Sequence, residues 1–272
     1  MSNEATPSAS AAAPAPAGGA SIEARAVDAG RGVSWWVEGW RLFTPAVGAW
    51  LLIALVLLGL FFAVGLLGLI PILGQLLGLG FEIVVPVFFG GLMLGCRALD
   101  RGNPLLLSHL FAGFGQRTGP LIVLGVIYTG LALLIALIVL GMMIAIFGAA
   151  ILGMLTGASD AARTGVALGS VVVAVLLGIL FFLLLLLPLV MAIWFAPALV
   201  MLGGMSPGAA LKTSFSGCLR NVVPFLVYGV IGIVLAVLAT IPLGLGWFVL
   251  GPVVYATIYA GYCDIFEDKG SA

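Results

Sequence analysis

The sequence predicts an all-α integral membrane protein of about six transmembrane helices, arranged as three hairpins, each preceded by an amphipathic interfacial helix on the cytoplasmic side. Three observations predict it. The first is composition: 63% of residues are hydrophobic and 7% charged, with a mean hydropathy of +1.33. A soluble domain carries roughly 25% charged residues, so this chain cannot clothe a surface in water, and a lipid bilayer is the solvent implied. The second is a recurring pattern. The stretch 103–127, NPLLLSHLFAGFGQRTGPLIVLGVI, returns from Ser206 onward as SPGAALKTSFSGCLRNVVPFLVYGVI. At an offset of 104, Phe111/Phe215, Gly113/Gly217, Pro120/Pro224, Val123/Val227, Gly125/Gly229, Val126/Val230 and Ile127/Ile231 coincide, seven of the seventeen positions from 111 to 127. A fainter copy, SWWVEGWRLFTPAVGAWLLI, begins at Ser34 and aligns Gly39 and Trp40 with Gly113 and Phe114. The third is the placement of basic residues, which follows from the spans.

Residues 1 to about 30 are rich in Ala, Pro, Ser and Gly. They offer too little bulky apolar surface to offset the entropy of ordering, so this stretch reads as a disordered cytoplasmic tail. It has no apolar core behind a basic start and does not read as a signal peptide. The membrane domain reads as 31–266, and 267–272 as a short tail. At its start Trp36, Trp40 and Phe43 recur at i, i+4 and i+7 with Glu38 and Arg41 elsewhere. That spacing makes a helix with one aromatic face, suited to headgroup depth.

The first span is expected from about Val47 to Ile70. Pro71 and the glycines at 74, 78 and 80 signal a turn, and the second span runs to about Arg97 with Pro86 inside it. Asn103-Pro104 then reads as a helix opening, Asn capping free amides and Pro fitting the first turn. Leu106, Leu107, Leu110, Phe111 and Phe114 share the apolar face that follows. From Leu121 to Leu155 the chain is apolar for 35 residues, about 52 Å as one helix against a hydrocarbon core of roughly 30 Å. It must tilt, project or break, and Gly141, Gly148 and Gly153 are the places to break. A polar loop, 156–165, leads to a fourth span from about Val166. That run continues to Gly203 and is expected to bend at Pro188 and Pro197, whose missing amides interrupt the helical ladder. Ser206-Pro207 repeats the cap-plus-proline opening, with Leu211, Phe215 and Cys218 on the apolar face and Lys212, Ser216, Arg220 and Asn221 on the wet one. Spans five and six are expected at about 222–241 and 247–265.

Six spans place the N-terminus, the 97–120 and 203–221 loops and the C-terminus on one side. That side holds Arg25, Arg31, Arg41, Arg97, Arg101, Arg117, Lys212, Arg220 and Lys269, and the other holds Arg163: nine against one. The bias puts both termini in the cytoplasm. Cys96, Cys218 and Cys263 then lie at the cytoplasmic ends, where free thiols are expected. Zero net charge without a Lys/Arg cluster argues against nucleic acid as a partner. The partner implied is the bilayer itself, with another membrane protein as a further candidate. No cofactor or metal is indicated, and composition says nothing about oligomeric state.

Few residues carry chemistry. Glu82 is the acid inside an apolar run, and a carboxylate in hydrocarbon is a candidate proton carrier or cation contact; the competing reading has it reach the far interface. Tyr255, Tyr259 and Tyr262 recur at i, i+4 and i+7, either lining a polar groove for a headgroup or packing as an anchor stripe. Arg97 and Asp100, with Arg101, could meet Asp264 in a charged cluster or stand as ordinary juxtamembrane charges. His109, the sole histidine, has no second ligand nearby in sequence. The pairs Gly74/Gly78, Gly91/Gly95, Gly153/Gly157 and Gly165/Gly169 suit close helix packing. No motif of nucleotide binding, metalloprotease or serine-hydrolase chemistry occurs, so an enzyme is not expected.

Taken as a set, Trp36-x3-Trp40-Arg41-Leu42-Phe43, Cys96-Arg97-Ala98-Leu99-Asp100-Arg101-Gly102, Leu110-Phe111-x-Gly113-Phe114, Trp194-Phe195-Ala196-Pro197-Ala198-Leu199-Val200, Cys218-Leu219-Arg220-Asn221, Phe225-Leu226-Val227-Tyr228-Gly229 and Tyr262-x-Asp264-Ile265-Phe266 resemble an uncharacterised family of proteobacterial inner-membrane proteins. More distantly the chain is similar to YciC-like membrane proteins and to the membrane domain of some glycerophosphodiesterases. The resemblance implies six spans and a cytoplasmic-membrane location and brings no activity or binding residues with it. The expectation is a non-enzymatic polytopic protein of membrane organisation, or an accessory to a membrane complex. The alternatives are a carrier of an apolar or lipid-like substrate, which needs a cavity that includes Glu82 or the tyrosines, and a lipid-modifying enzyme, which needs His109 brought to Asp100 or Asp264.

Overall fold

The computed structural model describes residues 22–155 and 161–267. Its helices are α1 (Arg31–Phe43), α2 (Val47–Leu67), α3 (Leu73–Asp100), α4 (Ser108–Gln116), α5 (Thr118–Leu155), α6 (Ala161–Trp194), α7 (Ala196–Met201), α8 (Pro207–Arg220), α9 (Val222–Thr240) and α10 (Trp247–Phe266). A single 3-10 turn, Thr44–Ala46, joins α1 to α2. Six stretches are long and apolar enough to cross a membrane: α1 running on into α2, then α3, α5, the later part of α6 with α7, α9 and α10. No strand occurs among the described residues. The protein is an all-α, multi-pass membrane protein.

The three short helices before the hairpins each lie on the second helix of a different hairpin: α4 on α3, α8 on α6, and α1 on α10. Close approach needs small residues, and glycine supplies them. A Cβ on Gly113 of α4 would collide with the Val87 carbonyl of α3, and one on Gly91 of α3 with the His109 and Leu110 carbonyls. A Cβ on Gly39 of α1 would stand 2.6 Å from Thr257 Cγ2 and 3.1 Å from the Val253 carbonyl of α10. The pair Gly91/Gly95 is thus a seat for α4, while a Cβ on Gly78 would meet nothing. We call the end where α1, α4 and α8 pack the collar end. Most of the core lies there or in the middle of α3 and α10, α10 being the most enclosed span.

Several boundaries differ from the sequence reading. Of residues 1–30, positions 1–21 lie outside the described residues, but 22–28 are non-helical chain seated on the protein, with Ala24 buried. The turn between α2 and α3 ends by Leu73, so Gly74, Gly78 and Gly80 are helical. Its tip carries Ile72 at φ 66°, and the tip between α9 and α10 carries Leu243 at φ 54°. Both follow a proline and point outward, 77% and 96% exposed. Asn103-Pro104 does not open α4: residues 103–106 are non-helical, Leu105 is buried, and the His109 ring nitrogen Nδ1 accepts from the Leu106 amide at 3.0 Å. At Ser206-Pro207 the expected opening holds, although the Ser206 side chain makes no cap.

The long apolar run is one helix. α5 continues for 38 residues through Gly141 and Gly148, about 57 Å of helix. The second run stays helical through Pro188 and breaks at Phe195. There the Ser214 hydroxyl of α8 enters the ladder: the Phe195 amide donates to Ser214 Oγ at 3.0 Å, and Ser214 Oγ donates to the Met191 carbonyl at 2.8 Å. An inserted side chain is an ordinary cause of a sharp kink. Pro197 then sits in the first turn of α7, where its missing amide is harmless.

Candidate functional site

The chemistry-bearing residues converge at the collar end, because α3 and α10 bring their last turns there and α1 is laid across them. Asp264, 5% exposed, is the centre. Its carboxylate accepts from the Arg31 guanidinium and from Trp35 Nε1 at 2.9 Å. Arg31 also reaches Glu38 Oε1 at 2.7 Å. Arg97 pairs with Glu267 at 2.5 Å. Asp100 accepts from Arg41 at 3.0 Å and from the Tyr259 hydroxyl at 3.3 Å. Rings pack on one side of the Asp264 pair, Trp35 on Phe225 (centroids 5.3 Å), Phe195 on Phe266 (5.3 Å), and Trp36 stacked on Tyr228 (4.8 Å, 13°), while Arg31 and Asp264 line an open polar pocket with Arg25 and Asp28 on the other. In such surroundings an isolated carboxylate would be costly, and pairing with hydrogen bonds offsets that cost.

The segment before α1 is tied to the same end. Asn221, wholly buried, accepts from the Val27 amide (2.8 Å) and donates to the Arg25 and Gly217 carbonyls (2.8 Å each). Arg220 donates to the Ala24 carbonyl at 2.7 Å, and the Arg25 amide to the Ile265 carbonyl at 2.9 Å. Asn221 is therefore not on a wet face as its place beside Arg220 suggested. α8 turns Ala210, Ser214, Gly217 and Cys218 inward, and Asn221 follows them by one turn. Cys218 is unpaired, as are Cys96 and Cys263. Burial pushes the Cys218 thiol up to about 12, with the Ser214 hydrogen bond pulling the other way.

The sequence candidates have these fates. Arg97 and Asp100 lie in the collar network, but Asp264 pairs with Arg31 while Arg97 pairs with Glu267. His109 is bound within its own turn, and Asp100 and Asp264 are engaged elsewhere. Glu82 is exposed on the outer side of α3, with no hydrogen-bond or ion-pair partner among the described residues. Tyr262 is buried against Phe266 (5.9 Å) and Tyr259 is buried on Asp100. The aromatic face proposed for α1 is split. Trp36 is buried with Nε1 donating to the Tyr228 carbonyl at 3.1 Å, while Trp40 is 51% exposed. Trp35, Arg31, Ser214 and Asn221 were missed as site builders. The available signal was Asp264 itself, an acid at the end of a long uncharged run.

Tyr255 is different. Its ring stands edge-on to Phe89 (5.1 Å) and lines a cleft of about 480 Å³ between α2 and α10. Trp50, Ile53, Leu57 and Phe61 form the α2 wall, and Trp247 and Pro252 share the α10 wall with Tyr255. Trp50 and Ile53 are buried at its floor, while Leu58 and Phe61, about half exposed, flank its mouth.

These features define the class: a polytopic α-helical membrane protein with a paired-charge collar and an apolar lateral cleft. No family model, curated protein or solved structure matches the chain.

Proposed function

We propose that this is a non-enzymatic protein of a bacterial inner membrane, with both termini cytoplasmic, serving membrane organisation or acting as an accessory to a membrane complex. The observation that carries the reading is how the collar uses its charges: Arg31, Glu38, Arg41, Arg97, Asp100, Asp264 and Glu267 are joined to one another across α1, α3 and α10. Groups spent on holding helices together are not poised for proton or nucleophile chemistry. The nine-to-one bias of Lys and Arg supports the orientation. Three repeated units of interfacial helix plus hairpin are supported by the recurring sequence and by the way α4, α8 and α1 each take a second hairpin helix as their bed. The resemblance to proteobacterial inner-membrane proteins agrees with this reading.

The test is purification with native lipids followed by mass spectrometry. Lipid and membrane-protein partners are expected, and a stoichiometric soluble metabolite would overturn the proposal. Labelling of tags at both termini from the inner face alone is expected for the orientation. A second reading, a carrier of a lipid-like substrate, is favoured by the cleft beside Tyr255. Glu82 stands outside that cleft, so Glu82→Gln should leave any such transport intact.

A further inference from the structure

We propose that the cleft between α2 and α10 is a binding site for a single aliphatic chain of a membrane lipid. The inference stands whether or not the protein moves the lipid. Length comes first. Trp50 and Phe61 bound the α2 wall and are eleven residues apart, about 16 Å along the helix and about half of a ~30 Å hydrocarbon core. The cleft therefore matches one leaflet. Gly244 and Trp247 at the hairpin tip line one end, and Tyr255, the ninth of the twenty residues of α10, lines the other, so the chain reaches from the tip-side headgroups to mid-span.

Width comes next. A volume of about 480 Å³ spread over that length gives a cross-section of about 30 Å². That admits one extended chain and excludes a helix about 10 Å across. The surroundings decide what fills it. A mouth flanked by exposed Leu58 and Phe61 opens on hydrocarbon, where an empty cleft forfeits dispersion contacts and an apolar one does not hold water.

Tyr255 closes the inner end of the cleft with its half-buried ring, packed edge-on against Phe89. Gly251 keeps the space open: it lines the cleft, and a Cβ there meets nothing within 4 Å.

The full chain is tested in vesicles of phosphatidylethanolamine and phosphatidylglycerol that include phosphatidylglycerol spin-labelled on one chain. Lipid retained after detergent extraction is counted by mass spectrometry. Wild type is expected to retain about one phospholipid per chain and to show a motionally restricted spin-label component. Gly251→Leu fills the cleft and should abolish both signals. Gly229→Leu, equally open but on α9 outside the cleft, should keep both. Tyr255→Phe keeps the ring that closes the inner end and should keep both signals. Ala54→Leu narrows the opposite wall and replaces Gly251→Leu if that variant does not fold. Equal retention in wild type and the filled variants would overturn the site, as would equal loss in Gly229→Leu, which would mark only a boundary shell of lipid. A photo-cross-linking residue in place of Leu57 should give a lipid adduct; a protein adduct in its stead would also overturn the proposal.

Discussion

The two ends of this molecule solve the same packing problem in opposite ways. At the collar end, helices approach until a glycine of one touches the backbone of another, as Gly113 does Val87 and Gly39 does Val253. One charge, Asp264, is buried there, and the half-exposed charges around it are paired. Toward the hairpin tips, apart from the turns themselves, where Gly74 meets Leu67 and Gly246 meets Ala239, Cβ atoms on Gly59, Gly65, Gly78, Gly80, Gly130, Gly141 and Gly148 would meet nothing. The side chains there are leucines, isoleucines and phenylalanines facing outward, such as Phe62, Leu137 and Leu180, each more than 60% exposed. In water that second arrangement would not persist, but in hydrocarbon it is free of penalty, because lipid is as apolar as leucine. The lesson is where specificity resides. Burial from solvent cannot hold helices together within a bilayer, so close packing and hydrogen-bonded polar pairs must, and both are concentrated at one end.

The sharpest way to break this contrast is to remove one member of the buried pair. Arg31→Met removes an ion-pair partner of the buried Asp264 carboxylate, which keeps its hydrogen bond from Trp35, and the expected loss is about 1–3 kcal/mol. It is read as a drop in thermal midpoint of the full chain in detergent. Arg31→Met with Asp264→Leu should regain part of it, since the buried carboxylate is gone while Glu38 and Trp35 lose these partners. Arg101→Met, at an exposed position of the same end, should change almost nothing. If the two single variants fall equally, the collar is not where stability is concentrated.

A second comparison sets glycine against glycine. Gly113→Ala drives a methyl into the Val87 carbonyl and should cost about 1–3 kcal/mol by overpacking. Gly130→Ala, in open space on α5, should raise stability by about 0.5–1 kcal/mol through helix propensity. Opposite signs in the two midpoints are the expected result. Equal signs would show that α4 is not seated as tightly as its contacts imply.

How much of this was legible beforehand follows the same division. Spans, order and hairpins could be read because apolar run length is a one-dimensional property, and α2, α3, α9 and α10 fall within a few residues of expectation. What could not be read was long-range and polar. Asn221 was placed on a wet face because its partners, the amides and carbonyls of 25–27, belong to a stretch whose composition suggests disorder. Asp264 pairs with Arg31 across 233 residues, and no local pattern announces that. The break at Phe195 was assigned to prolines, whereas Ser214, a residue of another helix, supplies the inserted hydroxyl. The tyrosines at i, i+4 and i+7 share a helix but not a fate. Two are drawn into the collar, and Tyr255 opens on the cleft.

A smaller effect is expected at the tips. Leu243 holds a left-handed backbone at φ 54° with its side chain almost fully exposed. Leu243→Gly removes about 1 kcal/mol of steric cost without losing a packing contact. A small rise in midpoint is expected. A fall would show that the Leu243 side chain anchors the tip in lipid.

The smallest effect separates the ends by proton linkage. The Cys218 thiol is 4% exposed on α8, and burial raises it to about 12; in the unfolded chain it returns to about 8.5. Between those values the folded protein keeps a proton that the unfolded chain releases. The Cys218 contribution is therefore fully present below about pH 8.5 and is lost as pH rises toward 12. Wild type should lose stability across that window more steeply than Cys218→Ala, and the difference between the two slopes isolates this thiol from Cys96 and Cys263. Maleimide at pH 8 should leave native Cys218 unmodified, since both exposure and thiolate are lacking. Rapid labelling of Cys218 in the folded protein, or parallel slopes for the two chains, would show that α8 opens from α6 and that the collar end is looser than its packing indicates.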